Sequence, residues 1–145
     1  MDCIFCKIIN GDFPSCKVFE DNDFAGILDI MPINLGHTLL IPKKHFRNIF
    51  DTPDDFTDKI YRVLKHISCG IKQALDCDGL NIIQNIEKAA GQEVFHSHIH
   101  IVPRYTDDAF SLNLKKKKYA NDEDMIKFAK KIANYINKCE MGGNG

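Results

Sequence analysis

The sequence predicts an α+β domain built on a mainly antiparallel sheet, with one long helix and a C-terminal helix. Strand-like segments cluster early and late in the chain, one long amphipathic pattern lies between them, and neighbouring strands are joined by connections of hairpin length. Such short connections favour antiparallel pairing. Because 145 residues suit one domain, we expect a single domain over residues 1–140 and a flexible tail over residues 141–145.

The first three strands are predicted before residue 43. Lys17–Glu20 and residues 24–29 flank a turn-like segment, which indicates a hairpin, and residues 36–42 form a third strand. Apolar residues then recur at steps of three and four. This pattern predicts one long amphipathic helix over about residues 53–76.

The rest of the chain supplies two more strands and a last helix. Residues 80–85 and 96–102 are the predicted strands, separated by a loop. The last helix is expected over about residues 122–138. Four lysines at 115–118 suit a solvated turn, and the alternative is that they attract phosphate.

Composition and charge limit the classes of function. With 44% hydrophobic and 27% charged residues, the chain can bury a globular core. Nineteen Lys and Arg against twenty Asp and Glu leave a net charge of −1, so the basic excess of proteins that bind nucleic-acid polymers is missing and a small nucleotide is the better partner. No segment has the pattern of a secretory signal or a membrane span, so we expect a cytoplasmic protein with no membrane partner.

The six cysteines divide into one pair and four single residues. The single residues are Cys16, Cys69, Cys77 and Cys139. We expect these four to be small buried side chains and few or no disulfides to form. Cys3 and Cys6 make a Cys-x-x-Cys pair, for which redox chemistry is one hypothesis, although no βαβ pattern accompanies it.

Three histidines alternate at His96, His98 and His100. On a strand they would share one face with attachment points about 6.6 Å apart, a spacing that can straddle a phosphate, while Ile99 and Ile101 face the core. Chance surface histidines would explain one ring but not three in register. A zinc ion held by all three is excluded, because the outer two lie about 13 Å apart on a strand. A neutral imidazole suits attack on phosphorus and a covalent intermediate.

The run of residues 90–104, which contains the three histidines, resembles the histidine-triad (HIT) family, especially its Hint-like branch and bacterial-type relatives. The likeness extends to residues 4–9, 28–32 and 36–45 and covers about residues 3–105. It implies a HIT-like fold, a homodimer and an enzyme that cleaves a purine nucleotide conjugate, either a phosphoramidate or a dinucleoside polyphosphate, at the α-phosphate. The apolar stripe of the long helix, which one small sheet need not cover, agrees with a homodimer. The alternative function is a nucleotide-sensing binding module with incidental turnover.

The resemblance implies roles for individual residues. His98 corresponds to the nucleophile that forms a nucleotidyl-histidine, His100 to the histidine that contacts phosphate, and His96 to the one that supports the site. The expected substrate-binding residues are Phe5, Ile8, Ile30 and Leu39 around the base, Asp29 at the ribose, Asn85 at the phosphate, and His37, Gln92 and Glu93 beside the triad. As alternatives, the apolar four could be core residues, Asp29 could shape a turn, and Asn85 could satisfy its own loop.

Three residues depart from the family pattern. Ser97 replaces an apolar residue, Glu87 occupies a position where relatives often carry glycine, and Glu93 stands where the Hint-like branch uses serine near the leaving group. An ionised carboxylate there would repel phosphate, but it could also donate a proton or turn to solvent. The preferred leaving group therefore stays open.

A structural zinc ion is expected on Cys3, Cys6, His45 and His96. The Cys-x-x-Cys spacing brings two sulfurs to one ion, His45 follows the third strand, and His96 begins the triad strand. Zinc-containing branches of the superfamily pair such cysteines with two such histidines. The alternative is that the cysteines are reduced core thiols and His45 is a surface residue.

Overall fold

The computed structural model describes residues 2–111 and 114–139. These residues fall into two compact units, one that ends at Asp108 and one that begins at Ala109. The tail expected over residues 141–145 lies outside the described residues, and the single domain over residues 1–140 stays a prediction. No helix in the described part of the chain combines the length and the apolar character needed to cross a membrane.

The first unit is a five-stranded antiparallel sheet with a helix on each face. In chain order its elements are α1 (Ile4–Asn10), β1 (Lys17–Glu20), β2 (Phe24–Leu28), β3 (Thr38–Pro42), α2 (Asp54–Leu75), β4 (Gly79–Ile83), a short 3-10 helix (Lys88–Ala90) and β5 (Ile99–Arg104). The strands lie in the order β1-β2-β3-β5-β4. The second unit contains α3 (Asp122–Ile136). The predicted α+β class with a mainly antiparallel sheet is confirmed.

Each face of the sheet has its own core. The face toward α2 is built from Phe24, Leu40, Leu64, Ile67, Ile99 and Ile101. The face toward α1 is built from Cys3, Phe5, Ile27, Leu39 and Ile41. Because side chains alternate along a strand, Ile99 and Ile101 anchor β5 in the α2 core and leave His100 on the α1 face, where it pairs with Leu39.

The strand predicted over residues 96–102 begins later than expected. β5 starts at Ile99, so His96 and His98 precede the strand. The backbone N–H of Ser97 donates to the carbonyl of Phe46 (2.7 Å), outside the paired strands, which keeps this segment off the sheet ladder. Elsewhere the differences are small: β2 and β4 end one and two residues earlier than predicted, and β3 begins two residues later.

Two other expectations need correction. Cys77 is buried as predicted, but Cys16, Cys69 and Cys139 are exposed. Cys16 precedes the edge strand β1, Cys69 lies on the outer side of α2, and Cys139 follows α3, which buries none of its residues. The α1 helix was not among the predicted elements, because seven residues are too few to display a helical period.

Gly36→Ala is expected to destabilise the fold more than Gly11→Ala. Both glycines have a positive φ, 92° and 86°, which costs an L-residue about 1–2 kcal/mol. A Cβ at Gly36 would also lie 2.4 Å from Leu75 Cδ1, whereas a Cβ at Gly11 would have no heavy atom within 4 Å. We expect the free energy of unfolding to fall by about 1–2 kcal/mol for Gly11→Ala. The loss should be larger for Gly36→Ala, because the partly exposed Leu75 side chain must also turn away from the new Cβ. Urea denaturation measures both, and equal losses would contradict the packing argument.

Candidate functional site

A cleft of about 740 Å³ lies on the α1 face of the sheet. Its walls come from α1 and the turn after it, from the loop after β2, and from the segment that joins β4 to β5. The sequence-predicted residues that line it are Phe5, Ile8, Asp29, Ile30, His37, Leu39, Asn85, Glu93, His98 and His100. A larger cleft of about 1010 Å³ beside α2 is mainly apolar and contains none of the triad.

The apolar walls of the cleft serve two purposes. Phe5 and Leu39 are buried and belong to the α1-side core, as the alternative interpretation required. They also line the cleft, and the Phe5 ring packs edge-on against His98 with 5.0 Å between centroids. Ile8 is half-buried, but Ile30 is 91% exposed. Ile30 is therefore not a core residue, and it forms an apolar rim.

The two polar residues at the ends of the cleft are tied to their own loops. Asp29 Oδ1 accepts from the backbone N–H of Met31 (2.9 Å), and Asn85 Nδ2 donates to the carbonyl of Gly91 (3.3 Å). Both local roles considered from the sequence are therefore present. They orient the side chains without removing them from the lining of the cleft.

A chain of hydrogen bonds assigns the tautomer of His100. The backbone N–H of Ile33 donates to His37 Nδ1 (3.1 Å), so His37 carries its proton on Nε2. His37 Nε2 lies 2.9 Å from His100 Nδ1 and donates to it, which leaves the proton of His100 on its own Nε2. Asp29 Oδ2, 3.7 Å from His37 Nε2, stabilises this arrangement. His100 therefore presents an N–H donor.

His98 has the opposite arrangement. Its Nδ1 lies 2.7 Å from the carbonyl oxygen of His96, and because a carbonyl can only accept, Nδ1 carries the proton. The lone pair of His98 is therefore on Nε2. The rings of His98 and His100 meet edge to face with 5.0 Å between centroids. The cleft thus combines a nucleophilic nitrogen with a hydrogen-bond donor, as attack on phosphorus requires.

The rings of His37, His98 and His100 are neutral at pH 7. Burial lowers the pKa of His37 and His98, and it lowers the pKa of His100 to about 4, a value to which the neighbouring His98 and His37 also contribute. The hydrogen bond to the His96 carbonyl and the charge of Asp29 partly offset the effect of burial on His98. Neutral rings agree with the assignment of one proton to each imidazole.

The four predicted zinc ligands come together next to the cleft. The ligand atoms of Cys3, Cys6, His45 and His96 all lie within 4.8 Å of one another. Cys6 Sγ lies 3.3 Å from His45 Nδ1 and 3.6 Å from His96 Nδ1, and Cys3 Sγ lies 3.5 Å from His96 Nδ1. Zn–S bonds of about 2.3 Å and Zn–N bonds of about 2.0–2.1 Å at tetrahedral angles separate sulfur and nitrogen by about 3.6 Å. The donor set therefore fits one zinc ion.

The tautomer of His96 also suits a metal ligand. His96 Nε2 donates to the carbonyl of Pro42 (2.8 Å), so the lone pair is on Nδ1, which faces the two sulfurs. Burial lowers the pKa of His96 to about 4, which keeps the ring neutral. The side chain of His96 is thus directed to the cysteines and not to the cleft.

A second group of potential ligands is less suitable for a metal. Asp29, His37 and His100 also place one ligand atom each within 4.8 Å of the others. However, the Ile33 N–H occupies His37 Nδ1 and keeps the proton on Nε2, the atom that would have to bind the ion. These three residues instead form the hydrogen-bond chain that orients His100.

Gln92 is the predicted substrate-binding residue that does not line the cleft. It is 3% exposed, and its Nε2 donates to the carbonyls of Arg47 (2.7 Å) and Val94 (3.1 Å). Its Oε1 accepts from the backbone N–H of Glu87 (2.8 Å). Gln92 thus holds the loop between β4 and β5 against the segment after β3.

Arg47 and Asn48, which the sequence analysis did not identify, complete this network by binding Glu87. Glu87 has a φ of 70°, which an L-residue rarely adopts, and its carboxylate binds Arg47 Nε (3.0 Å), Arg47 Nη2 (2.7 Å) and Asn48 Nδ2 (2.8 Å). The guanidinium of Arg47 also lies over the Phe95 ring, 4.3 Å from its centroid. No sequence motif marks Arg47 or Asn48, because their partners lie about 40 residues away.

Comparisons with known proteins identify the family to which this chain belongs. The family model described as HIT domain matches residues 10–107. The chain is 39% identical to a solved HIT family member from Bacillus subtilis, with a TM-score of 0.86 over 92% of this chain and 96% of that one. It is 34% identical to a solved histidine triad nucleotide-binding protein from Candida albicans, with a TM-score of 0.82 over 96% of this chain and 100% of that one.

Two further relatives carry names that bear on the chemistry. One is a solved Zn-bound histidine triad family protein from Mycobacterium smegmatis, 37% identical, with a TM-score of 0.73 over 93% of this chain and 98% of that one. The other is adenylylsulfatase HINT3 from Arabidopsis thaliana, 42% identical over 107 residues, which are 74% of this chain and 54% of that protein. With the matched family model and these relatives, the chain belongs to the histidine-triad family.

Proposed function

We propose that this chain is a nucleoside phosphoramidase or nucleotidyl hydrolase that cleaves a purine nucleotide conjugate, AMP-like in its nucleotide part, at the α-phosphate. The main support is the pairing of a lone pair on His98 Nε2 with an N–H donor on His100 Nε2 in one cleft. The nucleotide-binding and adenylylsulfatase relatives support the substrate class and hydrolysis. A cytoplasmic location is part of the proposal, supported by six cysteines that are all free thiols.

The nucleoside is proposed to occupy the part of the cleft lined by Phe5, Ile8, Ile30 and Leu39. A purine ring laid against these side chains would cover the exposed Ile30. Asp29, held by the backbone N–H of its own turn, has a carboxylate suited to accept hydrogen bonds from ribose hydroxyls. The α-phosphate would then lie at the two catalytic histidines.

The reaction is proposed to take two steps with a nucleotidyl-His98 intermediate. In the first, His98 Nε2 gives its lone pair to the α-phosphorus while the bond to the leaving atom breaks, and the leaving atom takes that electron pair and a proton from water. His100 Nε2–H donates to a phosphoryl oxygen as charge develops. In the second, water attacks the phosphorus, the P–N bond to His98 breaks, and the water returns the proton. A nucleoside monophosphate leaves.

His98→Ala is expected to abolish turnover and keep nucleotide binding, because it removes the nucleophile but not the walls of the cleft. His100→Ala should lower kcat by about 10²–10³, the usual loss for one donor to a developing charge. Release of AMP from an adenosine phosphoramidate measures turnover, and calorimetry with AMP measures binding. His66→Ala, on α2, is the matched control and should keep full activity. Full activity of His98→Ala, or a nucleotide trapped on another residue, would contradict the mechanism.

His100 is expected to stay neutral and protonated on Nε2 well below its ordinary pKa of 6.5. Its pKa is lowered to about 4, so the positive form appears only as the pH falls through about 4. Long-range ¹⁵N–¹H spectra of the histidines between pH 7 and pH 4 measure both the tautomer and the titration. In His37→Ala the donor to Nδ1 is lost, so the spectrum should show mixed tautomers. An Nδ1–H form of His100 in the unchanged protein would refute the hydrogen-bond chain.

We also propose a structural zinc ion on Cys3, Cys6, His45 and His96. The donor distances and the Nδ1 lone pair of His96 support it, as does the zinc-bound relative. When bound, the ion would hold the cysteines as thiolates and join the start of α1 to the segments that carry His45 and His96. Its effect on catalysis would be positional, since the His96 carbonyl orients His98.

Protein purified without added metal is expected to contain about one zinc per chain, by the count of four ligands. The double variant Cys3→Ser, Cys6→Ser should lose the metal, and its Tm should fall by about 5–10 °C. The exposed pair Cys16→Ser, Cys139→Ser is the matched control and should keep both. Elemental analysis and thermal unfolding supply the measurements. A wild-type protein that contains no metal, and whose Tm equals that of the Cys3→Ser, Cys6→Ser variant, would contradict this proposal.

A second copy of the chain is the proposed protein partner. β4 is an edge strand, and beside it α2 presents Tyr61, which is 76% exposed, next to an apolar cleft that includes Leu80 and Ile82. Unpaired strand edges and exposed apolar faces commonly pair across a two-fold axis. These features support the homodimer that the family resemblance implies.

Light scattering at micromolar concentration is expected to give twice the 16.5 kDa mass of one chain. Tyr61→Glu places a charge on the proposed interface and should shift the mass toward the monomer. Phe50→Glu, at another exposed aromatic residue, should leave the mass unchanged. A monomeric wild type would exclude a stable dimer.

A further inference from the structure

The described residues that line the cleft include carboxylates but no permanently charged cation. Among the described residues that line it there is no lysine or arginine, whereas Asp29 and Glu93 each supply a carboxylate. Sites that bind several phosphates usually compensate their charge with arginine, lysine or a metal ion. This cleft offers hydrogen-bond donors instead, so it suits a ligand with little negative charge.

The two carboxylates lie on opposite sides of the catalytic histidines. Asp29 follows β2, and Glu93 lies in the connection between β4 and β5. In the sheet, β3 and β5 separate β2 from β4, and His100 on β5 pairs with Leu39 of β3 on one side and with Ile83 of β4 on the other. A nucleoside held at Asp29 therefore directs its leaving group across the histidines toward Glu93.

Glu93 is free to interact with a ligand. Its side chain is exposed, and within residues 2–111 and 114–139 it has no hydrogen bond or ion pair. Glu87 in the same loop differs, because its carboxylate is bound by Arg47 and Asn48. Arg47, which contacts this loop from the segment after β3, is thus already paired with Glu87. Lys88 is a second cation, in the loop itself, but it does not line the cleft, whereas Glu93 does.

We propose that Glu93 is a specificity-determining residue that favours conjugates whose leaving group carries a positive charge and disfavours leaving groups that add phosphates or carboxylates. The inference rests on the proposed function. A cationic amine beyond the scissile bond gains attraction from the carboxylate, and each added anion on that side meets like charge. A serine at this position, which the resemblance to the Hint-like branch implies, carries no charge and would not select leaving groups by their charge.

Three adenosine 5′-phosphoramidates of equal reach test the charge alone. Their leaving amines are butylamine, 1,3-diaminopropane and β-alanine, which end in a methyl group, an ammonium and a carboxylate. The wild type is expected to show the highest kcat/KM for the diamine and the lowest for β-alanine. Glu93→Gln should lower the preference for the diamine over butylamine about three-fold, the range of an exposed charge pair. Glu93→Lys should invert the order, and added salt should compress the wild-type range.

Asp58→Asn is the matched control, because it removes one exposed carboxylate on α2, away from the cleft, and should keep the wild-type order. An unchanged range in Glu93→Gln would overturn the inference. An equal loss on all three compounds would overturn it too, since it would indicate proton transfer or a structural role. If the wild type forms nucleotidyl-His98 but shows no charge preference, only this inference fails. If it cleaves none of the three and forms no intermediate, the proposed function fails and the inference fails with it.

Discussion

The ring of His96 points away from those of His98 and His100 because residues 96–98 lie before β5 and outside the sheet ladder. The backbone of Ser97 bonds to Phe46, so His96 is free to turn its ring to the cysteines. On a regular strand, all three rings would share one face. The His96 carbonyl meanwhile accepts from His98 and places the lone pair of His98 on Nε2. One residue therefore directs its ring to the candidate metal centre and uses its carbonyl to orient His98.

The loop between β4 and β5, which lines one side of the cleft, combines backbone strain at Glu87 with hydrogen bonds that offset it. Glu87 has a φ of 70° and a ψ of 159°, a region that costs a non-glycine residue about 1–3 kcal/mol. Hydrogen bonds offset that cost. The Glu87 carboxylate accepts them from Arg47 and Asn48, and the Glu87 backbone N–H donates one to Gln92. Glycine would relieve the strain but would remove the link to the segment after β3. The loop is therefore held by side-chain hydrogen bonds and not by the backbone freedom of a glycine.

Residue chemistry made part of the site predictable. The four candidate zinc ligands could be proposed from the sequence because two sulfurs and two histidines form a recognisable donor set, and the cleft residues because the triad resembles a known family. Strand alternation supported the position of Ile99, Ile101 and His100. It did not reveal that His96 and His98 lie before the strand, since an extended segment and a paired strand have the same sequence pattern.

Other features had no local signal. Gln92 was expected to touch substrate, yet its amide groups bond to backbone atoms of its own loop and of Arg47. Such pairings join segments about 40 residues apart and depend on the folded backbone. The exposed Cys16 shows the same limit, because burial depends on whether a neighbouring element covers a residue and not on the residue type.

The exposed rim of the cleft has a thermodynamic consequence. Ile30 is 91% and Met31 82% exposed, and both line the cleft beside Asp29. Solvent around such apolar side chains is released when a flat aromatic ligand covers them, and the burial of apolar surface lowers the heat capacity of the complex. The enthalpy of ligand binding at this rim therefore becomes more favourable as temperature rises, and the slope of that change reports how much of Ile30 and Met31 the ligand covers.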